Sequence, residues 1–399
     1  MKQPCVAVDV SKSKSHYQGW ISIDKKCGNA KCIEHNKIGF QEISDKLKEL
    51  EGITNEKPVV VFESTGVYHR SLQQYLEDNE IGYIIISPLA SAKIRKSNIR
   101  STKNDKRDCK TIARAYFEKD FPLHKKSDEI YDNLREMNRY YHYLTEQLKK
   151  CKVQFKLLLD IVFPKFDLYM KEYSEIPMAL FSKYHHPDEI KNKHPETLAK
   201  YLVSKTCHNY NYSLKEAINI IKYCNECQSG CSKDSVDCVL FSEVIEQIKN
   251  KVEEQNLYLQ KIIDLAKDLP NYELLLTIPG ISNNLAARIL AEIGDLSRFP
   301  RAKSLVAYAG IDPNVYQSGE NDGLHLKITK KGNKELRCLL YLAIQNTVQG
   351  NNVIADYYHK KIATALPSKV AKVACMNKLL RIIYSRCYFS ITQSYYIIS

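Results

Sequence analysis

The sequence contains no run of 18 or more apolar residues and no signal peptide, so we expect neither a membrane-spanning helix nor export. It has no glycine-rich turn ending in Gly-Lys-Ser or Gly-Lys-Thr, which excludes a P-loop nucleotide site. The 13 cysteines are scattered and odd in number, a pattern typical of unpaired thiols in a reducing compartment. We therefore expect a cytoplasmic protein with no membrane partner.

The sequence contains no acidic side chain after Asp356. Its hydrophobic content of 44% is ordinary for a globular protein. The tail instead carries seven cations among apolar residues at helical spacing, which predicts a basic amphipathic helix. These cations are Lys360, Lys361, Lys369, Lys372, Lys378, Arg381 and Arg386. Because the 399 residues carry a net charge of +13, we expect a polyanionic partner, and nucleic acid is favoured.

One stretch of the amino half, residues 93–114, combines dense positive charge with only two acids. Its nine cations are Lys93, Arg95, Lys96, Arg100, Lys103, Lys106, Arg107, Lys110 and Arg114. Asp105 and Asp108 are spaced i, i+3, so on a helix they share one face and could hold a divalent cation beside a phosphodiester. On this stretch alone, a solvated basic helix with incidental ion pairs explains the pattern equally well.

Two further acids end apolar runs that predict buried strands. Asp9 lies near the end of the run 5–11, and Glu63 ends the run 58–63. In open α/β sheets, ligand sites form at the carboxyl ends of strands, so both acids are expected to face one cleft. Asp9 also fits the phosphate-loop aspartate of sugar kinases and actin-like ATPases, and Glu63 could be a helix cap or a surface acid.

The order of the predicted elements favours such a cleft. Strands are expected near 4–11, 15–24, 31–38, 58–63 and 82–87, and helices near 40–51, 67–79 and 104–117. This βββαβαβα series calls for a mixed sheet with helices on its faces, in the ribonuclease-H-like order. Asp9, Glu63, Asp105 and Asp108 could then converge on one or two Mg²⁺ or Mn²⁺ ions that stabilise the attacking and leaving oxygens at phosphorus.

The middle of the chain contains two heptad patterns that predict long helices. The first runs from Leu134 to Val162 and the second from Ile245 to Ala266, so the helices could pair as an antiparallel hairpin or join separate subunits. Residues 165–238 are polar and irregular. Their four clustered cysteines could bind zinc, but a cysteine-rich loop is the simpler interpretation because only one CxxC spacing occurs. These cysteines are Cys224, Cys227, Cys231 and Cys238.

The carboxyl half carries a tight turn and a candidate nucleophile. Residues 275–294 predict a helix, a turn at Pro279 and Gly280, and a second helix, an arrangement that can bind phosphate through backbone N–H groups. An ordinary helical corner is the alternative. Ser318, followed by flexible Gly319, could attack a phosphodiester, although a loop serine is the simpler interpretation of this residue alone. The nearby cations that could contact DNA are Lys330, Lys331 and Arg337.

Together these motifs resemble the DEDD-type insertion-sequence transposases, the bridge-RNA-guided recombinases of the insertion sequence one-ten group. In the amino half, the matching residues are Asp9 in Ala-Val-Asp-Val-Ser, Glu63 in Glu-Ser-Thr-Gly-Val-Tyr, and Asp105 and Asp108 in Asn-Asp-Lys-Arg-Asp-Cys-Lys. In the carboxyl half, they are the Ile-Pro-Gly-Ile turn, Tyr-Ala-Gly-Ile-Asp-Pro, Ser318-Gly319 and Lys-Gly-Asn-Lys-Glu-Leu-Arg. The resemblance therefore rests on two blocks in the right order.

The resemblance implies an α/β domain with a RuvC-like, RNase H-like fold at 1–125, an all-α coiled-coil and linker region at 126–268, and a helical transposase domain with a helix-hairpin-helix at 269–399. It implies that the four acids bind Mg²⁺ and that Ser318 forms a phosphoserine with DNA. The implied partners are donor and target DNA, a structured bridge RNA, and further copies of the chain in a nucleoid-associated dimer or tetramer. The family commonly has threonine and alanine where this chain has Asn104 and Cys109.

Two other functions are consistent with the same residues. A junction resolvase would hydrolyse strands with the four acids and would use no serine nucleophile. A non-catalytic scaffold would bind nucleic acid, and its behaviour would be the same in wild type and in Asp105→Ala.

Overall fold

The computed structural model describes residues 2–64, 66–86, 105–121, 123–124, 129–313 and 328–398, with the side chains of 105–107 and 388–398 outside that description. The chain divides into two compact units, Met1–Lys126 and Ser127–Ser399. Each unit has its own hydrophobic cores. The finer division of the second unit at residue 268 stays a prediction.

A mixed five-stranded sheet forms the centre of the first unit. Its strands are β1 (Cys5–Val10), β2 (Lys14–Trp20), β3 (Lys26–Glu34), β4 (Val59–Glu63) and β5 (Tyr83–Ile86). They lie in the order β3-β2-β1-β4-β5, with β2 antiparallel to both neighbours and β1, β4 and β5 parallel. The expected mixed sheet is confirmed, although β3 begins earlier than position 31 because Lys26 pairs with Trp20 across a tight turn.

Helices cover both faces of this sheet. They are α1 (Lys37–Thr54), α2 (Arg70–Asp78) and α3 (Asp105–Glu118). Because alternate residues of a strand point to opposite faces, Val6 and Val8 pack in the core of α1 and α2. Cys5 and Ala7 pack instead with Cys109 of α3. The odd-numbered residues of β1 therefore point to the face covered by α3.

The second unit is helical and contains an antiparallel pair of long helices. In chain order its first helices are α4 (Glu129–Val162), α5 (Glu175–Phe181), α6 (Pro195–Lys205), α7 (Tyr210–Glu226) and α8 (Val236–Lys267). The Tyr140 hydroxyl of α4 donates to Glu254 of α8 at 2.6 Å, and further along α4 the ring of Phe155 stacks on Phe241 at 5.4 Å. The partner numbers fall as the α4 numbers rise, so the two heptad patterns pair within one chain as an antiparallel hairpin.

Residues 163–235, which we call the tip subdomain, fold against one end of the α4–α8 pair. The structure differs here from the interpretation of this segment as irregular, because α5, α6 and α7 lie within it. Aromatic side chains from the subdomain and from the two long helices form its core. They are Phe155, Phe163, Phe166, Phe181, Tyr223 and Phe241. Helix α5 has only 7 residues, too few to show an apolar period, whereas the 17-residue α7 buries Ala217, Ile220 and Cys224 at a helical spacing that the sequence analysis missed.

The remaining described chain is also helical. Its helices are α9 (Tyr272–Leu276), α10 (Asn283–Ile293), α11 (Ala302–Ala309), α12 (Lys334–Thr347), α13 (Val353–Ala363) and α14 (Ser368–Ile398). Helix α10 lies at the centre of the core, and α14 contributes apolar side chains such as Cys375 and Leu379 to the same core. The predicted basic helix is divided in two, because Lys360 and Lys361 lie on α13, whereas Lys369 and Arg381 are exposed on the amphipathic α14. Within the described ranges, no helix is both long and apolar enough to cross a membrane.

The aromatic core of the tip subdomain predicts the effect of one substitution. Phe181 is fully buried, with the rings of Phe163 and Phe166 at 5.0 and 4.9 Å. Phe181→Ala is expected to lower the free energy of unfolding by about 3–5 kcal/mol, because a buried ring is replaced by a cavity. Urea denaturation followed by circular dichroism measures this change.

The control for this prediction is Leu168→Ala, since Leu168 is 77% exposed. Its free energy of unfolding should change by less than about 0.5 kcal/mol. Equal losses in the two variants would contradict the packing of the tip subdomain.

Candidate functional site

Asp9 and Glu63 lie side by side at the carboxyl ends of neighbouring parallel strands. Val8 of β1 pairs with Phe62 of β4, and Asp9 and Glu63 are the next residues along these strands. Neighbouring strands are about 4.8 Å apart, so the two carboxylates start from adjacent backbone positions. Both point to the α3 face, because the residues two positions earlier in each strand lie in that core. Asp9 is half-buried and Glu63 is buried.

Asp108 comes to the same end of the sheet from α3. Its neighbour Cys109 is fully buried, and the Cys109 thiol donates to the carbonyl oxygen of His16 at 3.2 Å. His16 is the residue that pairs with Asp9 between β1 and β2. Burial raises the pKa of Cys109 to about 12, with further contributions from the negative charges of Asp9 and Asp108. The Cys109 thiol thus contacts β2 and interacts electrostatically with both carboxylates. The first turn of α3 therefore lies close to the strand ends.

The acids at this edge offer carboxylate oxygens, the donors that Mg²⁺ and Mn²⁺ prefer. Asp105 begins α3, three residues before Asp108, and its side chain is outside the described set. Among the side chains that are described, no three His, Cys, Asp or Glu groups lie close enough together to hold a metal ion. The donor chemistry fits a hard cation, and the four-carboxylate site with Asp9 and Glu63 stays a prediction.

Most cations of the basic stretch lie outside the described residues. These are Lys93, Arg95, Lys96, Arg100 and Lys103, together with the side chains of Lys106 and Arg107. Lys110 is exposed on α3, and Arg114 forms an ion pair with Glu118 one turn further on. Lys110 therefore presents positive charge on the same helix as Asp108.

In the second unit, two short stems close into a neck. The stems are residues 308–313 and 328–333. Pro313 and Ile328 form an isolated antiparallel bridge, and the Thr329 hydroxyl donates to the carboxylate of Asp312 at 2.8 Å. Pro313 and Ile328, the residues that flank the segment 314–327, therefore lie next to each other at the neck.

The candidate nucleophile belongs to that segment. Ser318 and Gly319 lie outside the described residues, so their predicted roles are untested by the structure. Lys330 and Lys331 are exposed on the second stem. The Arg337 guanidinium donates to the carbonyl oxygen of Ala309 at 2.9 Å, so part of its donor capacity already stabilises the neck.

An open cavity of about 490 Å³ lies beside the neck. It is lined by Arg139, Glu292, Tyr308, Lys331, Gly332, Asn333, Lys334 and Glu335. Glu292 was not identified from the sequence, and its side chain is only 1% exposed. It is the one acid in the run 285–293, where every other residue except Arg288 is apolar, and this was a usable signal, because glutamate is rarely buried without partners.

The Pro279–Gly280 turn connects α9 to α10. Both turn residues are exposed, and Gly280 has a φ of +85°, which glycine adopts without strain. Ser282 caps α10 by accepting from the backbone N–H of Leu285, and the Thr347 hydroxyl donates to the carbonyl oxygen of Pro279 at 3.0 Å. The turn is anchored on its inner side and faces solvent on its outer side.

The four clustered cysteines pack at the edge of the tip subdomain. The Cys231 and Cys238 sulfur atoms are 3.8 Å apart, and the Cys227 thiol lies 3.4 Å from the Tyr223 hydroxyl. Burial raises the pKa of Cys224 to about 12. These side chains are among those that form no group suited to a metal ion.

Comparisons with known proteins cover both candidate sites. A transposase family model, of the DEDD type in IS110 elements, matches residues 6–164, which include Asp9, Glu63 and α3. The model described as the transposase IS116/IS110/IS902 family matches residues 272–359, which include the Pro279–Gly280 turn and the neck.

The chain belongs to the IS110 group of transposases.

Curated relatives of this IS110-group chain are similar over shorter stretches. The pilin gene-inverting protein of Moraxella bovis is 35% identical over 28% of this chain and 35% of its own length. The transposase of insertion sequence element IS1111A from Coxiella burnetii is 32% identical over 24% of this chain and 26% of its own length. A mini-circle putative transposase for IS117 from Streptomyces coelicolor is 46% identical over 14% of each chain. The chain thus matches about a third or less of the length of these relatives.

The packing of α3 on the sheet predicts the reactivity of two thiols in this IS110-group chain. Cys109 is buried with a pKa of about 12, so it stays protonated and unreactive at pH 8, whereas Cys32 is exposed. Iodoacetamide labelling followed by peptide mass spectrometry should modify Cys32 and spare Cys109 in the native protein. Both thiols should react in denaturant, and native labelling of Cys109 as fast as Cys32 would contradict the placement of α3.

Proposed function

We propose that this protein is the transposase of a mobile insertion element and that it cuts and rejoins DNA. The observation that carries the proposal is the adjacency of Asp9 and Glu63 on the sheet face covered by the helix that begins with Asp105. Membership in the IS110 group of transposases supports the same reaction.

The first unit is proposed to be a RuvC-like domain. The order β3-β2-β1-β4-β5, with β2 antiparallel, is the ribonuclease-H-like order and supports this proposal. In it, Asp9, Glu63, Asp105 and Asp108 hold Mg²⁺ or Mn²⁺ through carboxylate oxygens. The bound ions would supply charge stabilisation for the attacking and leaving oxygens at phosphorus. The sheet fixes two of these carboxylates on rigid strands, and α3 carries the other two.

Ser318 is the proposed nucleophile. Its Oγ attacks a DNA phosphorus, a phosphoserine forms, and the bond from phosphorus to the 3′ oxygen breaks. The proton lost from the serine hydroxyl is balanced by the proton that the departing 3′ oxygen gains, so the leaving strand ends as a free 3′ hydroxyl. Because one phosphoester replaces another, attack by a 3′ hydroxyl on the phosphoserine can rejoin strands without ATP.

The neck supports this role for Ser318. It fixes the chain at Pro313, five residues before the serine, so the serine can lie at most about 17 Å from that point. Exposed Lys330 and Lys331 on the opposite stem supply positive charge where a phosphodiester would have to approach.

Nucleic acid is proposed to contact several surfaces, in keeping with the net charge of +13. The Pro279–Gly280 turn is the proposed helix-hairpin-helix, which binds backbone phosphate through N–H groups at the start of α10. A structured bridge RNA would select donor and target DNA by base pairing, so the protein would read backbone and shape. The exposed faces of the α4–α8 pair would join subunits in a dimer or tetramer.

A metal-dependent junction endonuclease is the second candidate. The adjacency of Asp9 and Glu63 favours it as well, because hydrolysis at a carboxylate-bound metal needs no serine. This enzyme would release both strand ends and form no covalent protein–DNA intermediate.

Trapping of the intermediate separates these functions. With Mg²⁺, DNA containing an element end and the element's flanking noncoding RNA, the wild-type protein is expected to form an adduct with labelled DNA that survives denaturing electrophoresis. Ser318→Ala should form none, since it lacks the attacking oxygen. Ser204→Ala, which changes an exposed serine of α6, is the control and should match wild type.

Each contrary result has its own meaning. Cleavage by Ser318→Ala, with no adduct in wild type, would replace the proposal by the hydrolytic endonuclease. Binding without reaction in both wild type and Asp105→Ala would leave a nucleic-acid scaffold.

The carboxylate site makes a separate prediction about metal affinity. Asp9→Asn is expected to weaken Mn²⁺ binding by at least about tenfold, because one charged oxygen donor is lost. Isothermal titration calorimetry measures the affinity without any DNA reaction. Asp45→Asn removes an exposed acid from α1 of the same unit and should leave the affinity unchanged. Equal affinities for wild type and Asp9→Asn would contradict the proposed site.

A further inference from the structure

Glu292 is a buried carboxylate that the proposed reaction does not use. It lies in the apolar helix α10 and is 1% exposed. Its two oxygens accept from two different side chains: Oε1 from the Asn138 amide and Oε2 from the Asn333 amide, both at 2.7 Å. Burial of a carboxylate lowers the stability of the fold unless its oxygens accept hydrogen bonds. These two contacts therefore allow α10 to be buried with Glu292 in it.

The first partner connects Glu292 to the long helix α4. Asn138 is 1% exposed, and its Oδ1 accepts from Arg288 Nε at 2.9 Å. The Arg288 guanidinium lies 4.3 Å from the ring centroid of Tyr141, also on α4. The Asn138 amide thus bridges a buried carboxylate and a half-buried guanidinium, and it fixes one position of α4 against α10.

The second partner connects Glu292 to the neck. Asn333 caps α12 by accepting from the N–H of Leu336 at 3.0 Å, and its own N–H donates to the carbonyl oxygen of Tyr308 at 2.7 Å. The Asn333 amide also donates to the Tyr308 hydroxyl at 3.1 Å, and that hydroxyl donates to the carbonyl oxygen of Glu292. One residue from each stem of the neck is therefore bonded to Glu292.

The stems themselves have almost no room to shift. A Cβ atom on Gly332 would lie 2.3 Å from the carbonyl oxygen of Tyr308 and 2.6 Å from the backbone nitrogen of Gly310. Because the two stems are in direct backbone contact, a displacement of Asn333 would move the first stem as well. The hydrogen bonds of Glu292 consequently set the position of the whole neck relative to α4.

We propose that Glu292 is a positioning residue, which holds the neck against α4 so that the segment carrying Ser318 is presented to DNA from a fixed place. This inference rests on the proposed function in its use of Ser318 as the nucleophile. It assigns no contact between Glu292 and the substrate.

The test is a reversal of one hydrogen bond. In Glu292→Gln, the side chain keeps its shape but only one of its two end groups can accept a hydrogen bond. The new NH2 group must then face the NH2 group of either Asn138 or Asn333, and neither can accept. In the double variant Glu292→Gln with Asn333→Asp, the glutamine donates to the new carboxylate and still accepts from Asn138. The double variant keeps the net charge, and aspartate is as good a helix cap as asparagine.

Three quantities are measured in each variant: the rate constant of adduct formation with saturating DNA, the Kd for DNA, and the hydrogen exchange of backbone amides in residues 308–313 and 328–333. Glu292→Gln is expected to lower the rate constant by at least about tenfold and to speed exchange in the neck, because the nucleophile is no longer held in place. The Kd should change less than about threefold, and the double variant should recover both the rate and the protection to within about threefold.

Glu254→Gln is the matched control. Glu254 also accepts from two side chains, Tyr140 and Lys251, but it lies on α8. The same chemical change there should leave the rate constant and the neck protection unchanged.

Two results would overturn the inference. One is a rate constant for Glu292→Gln equal to wild type. The other is a loss of rate that tracks the unfolded fraction in thermal denaturation, with no recovery in the double variant. If wild type forms no adduct at all, the proposed function fails, and hydrogen exchange in the neck still decides whether Glu292 holds it.

Discussion

The candidate carboxylate site depends on the register of two parallel strands. Since Val8 pairs with Phe62, the acids that follow them occupy neighbouring positions, and the pleat turns both carboxylates to the same side of the sheet. A shift of β4 by one residue would move Glu63 to the opposite face, among the side chains packed on α1 and α2. The apolar residues before Asp9 and Glu63 are buried on both faces and would tolerate such a shift, so the charged ends of the two strands are what oppose it.

In the second unit, helices rather than a sheet hold the two stems of the neck in place. The antiparallel pair α4–α8 supplies a long rigid element, and α10 packs at the centre of the remaining helices. A polar network crosses this apolar core from Arg288 through Asn138 and Glu292 to Asn333. A buried polar network destabilises the fold if any donor or acceptor in it lacks a partner. When every member is satisfied, the network specifies one arrangement of the helices.

Local patterns predicted the elements and the strand-end acids, because apolar runs, heptads and a Pro-Gly turn are visible within a few residues. They did not predict the tip subdomain, whose aromatic core joins Phe163 to Phe241 across a long stretch of chain. Glu292 was visible as a lone acid in the sequence of α10, but its partners were not. Its partner Asn138 lies 154 residues away, and only the folded structure brings them together. Asp105 was visible with Asp108 as an acid pair in a basic stretch, whereas the role of Ser318 rests on the family resemblance.

We propose that the acids of β1, β4 and α3 surround one metal site. The most direct test of this proposal is iron-directed cleavage, in which Fe²⁺ replaces Mg²⁺ in the native protein and radicals generated with ascorbate and peroxide cut the nearby backbone. If the metal site is shared, cuts are expected near Asp9, near Glu63 and in the first turn of α3, and excess Mg²⁺ should suppress all of them. Cuts at one of these places alone, or cuts that Mg²⁺ does not suppress, would contradict the proposal.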